Sequence, residues 1–310
     1  MEESNTSFAA HQESLHEMEP RKPDPTDFIW SYRDLNAWQD NYQMCVEKPA
    51  SRQSPINIDT KTVEYRELPV FSLSEYNTLQ GVIVDMINTG NTAILSFSGA
   101  PIEISGGGLR NAFRLENVHF HWGASSASGS EHQIDSRCYP MEMHIVHYNT
   151  TYPDVRAAAC EPGGLAVLAF LFKVTRCPNP AYSQIVSKLE EITMPGLKTQ
   201  ITPAPLQNLL PKKLGQFYRY EGSLTTPPCN ETVTWSVFAA PIPISERQIA
   251  CFRSLKSLDI NPETNDNFPL VDNTRPPQSL NGRVVYANFR THQSSKKKSF
   301  IMKCSCLSPD

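Results

Sequence analysis

A chain of 310 residues with 39% hydrophobic side chains has enough apolar material for one large core or two smaller ones. Its formal charge of -4 and pI near 6.1 exclude a broad basic footprint of the kind nucleic acid selects, since Lys and Arg are scattered apart from the late run SSKKKS. The longest apolar run, LAVLAFLF at 165–172, falls far short of the roughly 20 residues of a membrane-spanning helix, so no transmembrane segment is expected.

Residues 1–27 are polar, acidic and Pro-punctuated, which predicts a disordered tail; they lack the apolar segment of a secretory signal. Period-two alternation then predicts strands at GVIVDMIN (81–88), TAILSFS (92–98), PIEISG (101–106), NVHFHWG (117–123), MEMHIVHY (141–148), LAVLAFLFKV (165–174), GQFYRYEGS (215–223) and ETVTWSVF (231–238). Helical spacing is confined to SQIVSKLEEI (183–192) and ISERQIACFRSLKSL (244–258), the second opened by Ser245 and Gln248 in a capping-box relation. From about residue 291 a basic, Cys-containing tail follows, carrying Cys304 and Cys306. With no composition shift between the tails, 28–290 reads as one mainly β domain of α+β type, an antiparallel or mixed sheet with peripheral short helices rather than an alternating βαβ series.

The chemistry concentrates in ENVHFHWG (116–123). On a strand His119 and His121 point to one face, and in EMHIVHY Glu142, His144 and Val146 share a face of another strand. Two readings stay open at this point. The rings are buried core histidines satisfied by neighbours, or three imidazoles from adjacent strands hold one zinc ion and leave its fourth tetrahedral position open, as a catalytic site requires. In the second reading Asn117 and Glu142 stand beside His119 and His144 as acceptors for the outer ring N–H groups. Eight cysteines and the sequons at Asn5, Asn149 and Asn230 are compatible with an oxidising compartment.

The segments VHFHWG, GSEH (129–132), EMHIVH, RQSPINI (52–58) and GSLTTPPC (222–229), with WSY, VTWSVF and VDNTRP, together resemble the alpha class of carbonic anhydrases over about residues 28–290. The resemblance implies a single domain on a twisted, mostly antiparallel sheet of about ten strands. It implies Zn2+ on His119, His121 and His144, with Asn117, Glu142 and Asn273 behind these ligands. Zinc-bound hydroxide would be the nucleophile in reversible hydration of carbon dioxide to bicarbonate and a proton, oriented by Thr225, itself held by Glu131. Thr226 matches the bicarbonate and sulfonamide-inhibitor position, and Val146, Val167, Leu224 and Trp235 the apolar wall; Gln53 and Tyr32 match outer positions of the cavity. At the family's proton-shuttle position stands Asn91 instead of histidine, which has no proton to exchange near neutral pH and predicts slower turnover. Cys45 and Cys229 match a disulfide of extracellular members, so an extracellular or secreted location is expected, with the cytoplasm as alternative; Cys138, Cys160, Cys177 and Cys251 are left with three possible pairings. A monomer or weak dimer is expected. The competing function is a binding or mineralisation-associated module that keeps the fold.

Overall fold

The computed structural model describes residues 30–291; both expected tails lie outside that range, apart from Thr291. Ten strands form one continuous path: β1 (Glu64–Tyr65), β2 (Val82–Asn88), β3 (Ala93–Gly99), β4 (Phe113–Trp122), β5 (Met141–Asn149), β6 (Leu165–Thr175), β7 (Lys198–Ile201), β8 (Phe217–Gly222), β9 (Val233–Ser245) and β10 (Tyr286–Ala287). Their spatial order is β7-β2-β3-β4-β5-β6-β9-β8-β10-β1, and Glu103–Gly106 pairs with β4 off this path, carrying Phe71–Ser72 beside it. Only β6 with β9 and β10 with β1 run parallel, so the sheet is mixed and mostly antiparallel, as expected.

The apolar run 165–172 takes the middle of this sheet for a physical reason. Its even residues Ala166, Leu168, Phe170 and Phe172 enter one core, and its odd residues Leu165, Val167, Ala169 and Leu171 enter a second core on the opposite face. A strand covered on both sides reads as continuous hydrophobicity rather than alternation. The first core is closed by short helices: Ile185, Leu189, Ile192, Ile249 and Phe252 all pack into it.

Helix α1 (Leu35–Asn41) is capped by Asp34, α2 (Val155–Ala158) by Asp154, and α3 (Ser183–Lys188) passes into a 3-10 turn at Leu189–Ile192. Helix α4 (Glu246–Arg253) opens on the expected capping box, Ser245 and Gln248 each bonding the other's backbone N–H. The expectation of helix through Leu258 is corrected. Helix α4 stops at Arg253, and Lys256–Ile260 is a strand paired with Asn267–Pro269. The backbone there is drawn off: Lys256 N–H donates to the carbonyl of Thr193 and Leu258 N–H to that of Gly90. Among the described residues no helix is long and apolar enough to cross a membrane.

The pairing of β4 with β5 sets the site. His119 stands directly opposite His144 and His121 opposite Glu142, while between Leu115 and Asn117 the register shifts by one residue. Before the shift Phe113 and Leu115 face the first core; after it Val118, Phe120 and Trp122 do. The bulge therefore turns His119 and His121 toward the opposite side, where β5 presents His144.

Candidate metal centre

Three ring nitrogens converge at one point. His121 Nε2 lies 3.0 Å from His144 Nδ1, and His144 Nδ1 lies 3.3 Å from His119 Nε2. Each ring is fixed from behind by a group that only accepts. His119 Nδ1 donates to Asn117 Oδ1 (2.9 Å), His121 Nδ1 to the backbone carbonyl of Asn273 (2.8 Å), and His144 Nε2 to Glu142 Oε1 (2.8 Å). With the protons assigned outward by these partners, three lone pairs face one another across the gap. Burial, then the neighbouring His121 and His144, hold His119 well below the ordinary imidazole range; burial also lowers His144 against the opposing pull of Glu142. Unprotonated nitrogens are what a metal requires.

The residues fit a zinc ion. Two nitrogens each about 2.0–2.1 Å from one tetrahedral ion stand about 3.3–3.4 Å apart, close to the separations observed. Mutually facing lone pairs repel unless a cation lies among them. A second sign is Glu131 Oε2, buried with no hydrogen-bond partner, 3.5 Å from His121 Nε2 and 3.9 Å from His144 Nδ1. The other oxygen of Glu131 accepts from Arg275 N–H at 2.8 Å.

Behind the ligands runs a polar chain that sequence reasoning missed. Glu142 Oε1 also receives His132 Nδ1 (2.7 Å), and Glu142 Oε2 accepts the backbone N–H groups of Glu131 and His132. His132 Nε2 meets Tyr220 OH at 2.7 Å, and Tyr220 donates to Ser54 Oγ at 2.9 Å. Burial raises the carboxyl pKa of Glu142, but His132 and His144 outweigh it and hold the group well below the usual carboxylate range, hence ionised. His132 stood inside GSEH, but nothing in the linear pattern gave it a partner.

The centre lies at the base of a cleft of about 400 Å³ lined by His119, His121, Asn117, Val146, Leu224 and Thr226, with Tyr32 and Asn91 among the other lining residues. Val167 and Trp235 are buried beneath rather than lining it; the Trp235 ring packs edge-on to His144 with centroids 4.9 Å apart. Thr225 is buried nearby, and no hydrogen bond joins it to Glu131 in this structure. Asn91 is tied down at both ends, donating from Nδ2 to the Trp30 carbonyl and accepting Asn273 Nδ2 on its own carbonyl.

Cys45 and Cys229 are joined by a disulfide next to the Thr225–Pro228 segment. Arg275 braces that region, donating to the Cys45 carbonyl, Gln53 Oε1 and the Ser54 carbonyl. Gln53 in turn donates to the carbonyl of Cys229, so its place is structural rather than in the cleft. Cys138, Cys160, Cys177 and Cys251 are free thiols, so none of the three pairings left open by the sequence is made. They stand on separate segments, and Cys160 and Cys251 each turn back to the carbonyl four residues earlier, Arg156 and Arg247.

Three imidazoles on neighbouring antiparallel strands, below a cleft with one apolar wall, define a candidate site for one metal ion on a mixed β-sheet. A sequence model of the eukaryotic-type carbonic anhydrase family matches residues 33–289. Carbonic anhydrase 6 of Bos taurus is 36% identical over 271 residues, covering 85% of this chain and 81% of that protein. Carbonic anhydrase 4 of Oryctolagus cuniculus is 38% identical over 252 residues (80% and 78%), and carbonic anhydrase 7 of Homo sapiens 38% over 242 (77% and 89%). The chain belongs to the eukaryotic-type carbonic anhydrase family and is an enzyme of the carbonate dehydratase kind.

Proposed function

We propose that this chain catalyses reversible hydration of carbon dioxide to bicarbonate and a proton with zinc held by His119 Nε2, His121 Nε2 and His144 Nδ1. The observation that carries this reading is the outward fixing of all three ring protons by Asn117, Asn273 and Glu142, which aims three lone pairs at one point. When bound there, zinc supplies the Lewis acidity that makes a hydroxide nucleophile available near neutral pH, an effect for which carbonic anhydrases are themselves the standard example. The buried, unpartnered Glu131 Oε2 is the acceptor we assign to the Thr225 hydroxyl. A Thr225 that donates to Glu131 has only an acceptor left for the attacking group, which fixes the direction of attack. Val146 and Leu224 offer carbon dioxide an apolar wall, backed by Val167 and Trp235, where an uncharged substrate sits by exclusion of water. Thr226, on the same lining, is assigned to bicarbonate.

Asn91 lines the cleft but cannot take up a proton near neutral pH, so the product proton leaves by another route and turnover is limited in dilute buffer. A binding module without catalysis has no reason to keep three convergent lone pairs and the ionised Glu142 behind them. We assign the working protein to an extracellular or secreted setting, a reading that the Cys45–Cys229 bond supports because such bonds persist in oxidising compartments. The test is metal analysis with carbon dioxide hydration assayed before and after chelation, alongside His144→Ala. One equivalent of zinc and activity lost in both treatments are expected; activity that survives both refutes the mechanism.

A further inference from the structure

Adjacent residues of a regular strand point to opposite faces, yet Glu116 and Asn117 both line the cleft. The one-residue register shift between Leu115 and Asn117 is the cause: Glu116 is the extra residue of the bulge, turned to the side that carries His119 and His121. Its carboxylate is half-buried and makes no hydrogen bond or ion pair among the described residues. A costly feature, a carboxylate unpaired among the described residues in a cleft whose lining also includes Val146, Val155 and Leu224, is here built by a backbone irregularity.

We propose that Glu116 is the proton relay of this cleft, taking up the proton released by hydration and handing it to buffer at the mouth, the task Asn91 cannot perform. The inference rests on the carbon dioxide reading above. In the step, a proton of the consumed water travels through solvent in the cleft to a Glu116 carboxylate oxygen, where an O–H bond forms; that bond breaks again when a buffer base outside removes the proton, and the carboxylate is restored. No oxidant or second substrate takes part. Burial raises the Glu116 pKa from the ordinary glutamate value, and the charge of Asp154, the cap of α2, adds to it. Both move the group toward the acidity at which a relay exchanges quickly in either direction. The other titratable groups lining the cleft are Tyr32, His119 and His121. Burial, and then Glu131, raise Tyr32 well above its ordinary range, so it keeps its proton and is not the relay.

The test uses the full-length, zinc-loaded protein and Glu116→Gln, with Glu116 carboxyl carbon titration by NMR on the metal-free wild type and on Asp154→Asn. The expected titration midpoint lies above that of an ordinary glutamate and falls in Asp154→Asn. In dilute buffer Glu116→Gln should lower kcat and KM together, by about tenfold, the low end of what positioned proton-transfer groups contribute, because solvent carries part of the flux. Concentrated imidazole should restore kcat. An unchanged kcat in dilute buffer, a loss that imidazole leaves in place, or an ordinary midpoint insensitive to Asp154 overturns the relay. If the zinc-loaded wild type shows no hydration, the reading of the site itself has failed; if only the relay is wrong, kcat/KM and zinc content stay intact and kcat ignores Glu116.

Discussion

His147 lies on β5 three residues beyond His144 and on the opposite face, in the first core rather than at the metal centre. Its Nδ1 donates to the Ala166 carbonyl at 3.2 Å and its Nε2 accepts Tyr76 OH at 2.8 Å, so the neutral ring is satisfied on both sides and water is excluded. Burial pushes its pKa down from 6.5 to about 3. In the unfolded chain the ring titrates near 6.5, so its neutral-state stability is present above that pH and is lost as pH falls from about 6.5 toward 3, the unfolded state binding the proton first. Each unit in that window costs about 1.4 kcal/mol, and the whole window about 5 kcal/mol, a large share of a domain's total stability. His147→Gln keeps an acceptor for Tyr76 and removes the titration. Urea unfolding of both proteins at a series of pH values between 7 and 4 is the assay. The variant is expected to be less stable at pH 7 by about 1–2 kcal/mol, from imperfect packing, and to draw level with wild type as the pH falls. All other residues are common to the two proteins, so their contributions cancel in the difference. A stability difference that stays constant from pH 7 to pH 4 would refute a buried neutral His147.

Removing the 184-residue loop closure with Cys45→Ser and Cys229→Ser together should lower stability by up to about 5 kcal/mol on the chain-entropy account, read as a fall in the denaturant midpoint. An unchanged midpoint would show that Arg275 and its carbonyl partners brace the segment without the cross-link. Asn91→His should raise kcat in dilute buffer and make it indifferent to a bulky buffer acid; a kcat that neither the substitution nor the buffer moves would show that proton release does not limit this enzyme. In the background of Asn91→His, Glu116→Gln should then cost little, since either relay suffices.

Much of this was legible in the residues alone. Period two exposed seven of the ten path strands and the off-path strand Glu103–Gly106, and the same period put His119 with His121 and Glu142 with His144 and Val146 before any pairing was known. The two-residue strands β1 and β10 and the four-residue β7 are too short to show a period. Helix α4 was overrun because Leu255 and Leu258 continue its apolar spacing, while the contacts that end it come from Thr193 and Gly90, distant in sequence. The register that sets His119 against His144 and the Glu142–His132–Tyr220 chain are properties of pairing, which one sequence does not contain. The Cys45–Cys229 bond came from family resemblance; nothing in the spacing of eight cysteines selects it.

The bulge is the instructive case, because it was written in the sequence at a place where the expected strand had been started too late. In FRLENVHFHW the apolar residues fall at 113 and 115 and then at 118, 120 and 122, a change of phase that no straight strand can bury on one face. Without an extra residue, either Phe113 and Leu115 or Val118, Phe120 and Trp122 would lie on the side of the metal centre. Burying five large side chains on one face is worth far more than the ladder hydrogen bonds disturbed at one bulge, since each such side chain contributes about 1.5–3 kcal/mol and a net hydrogen bond about 1. The phase change thus forces the bulge, and the bulge sets two consecutive polar residues in the cleft. Asn117 then holds the ring of His119, while Glu116 lines the same cleft without a hydrogen-bond or ion-pair partner among the described residues, the position from which the proposed relay would work.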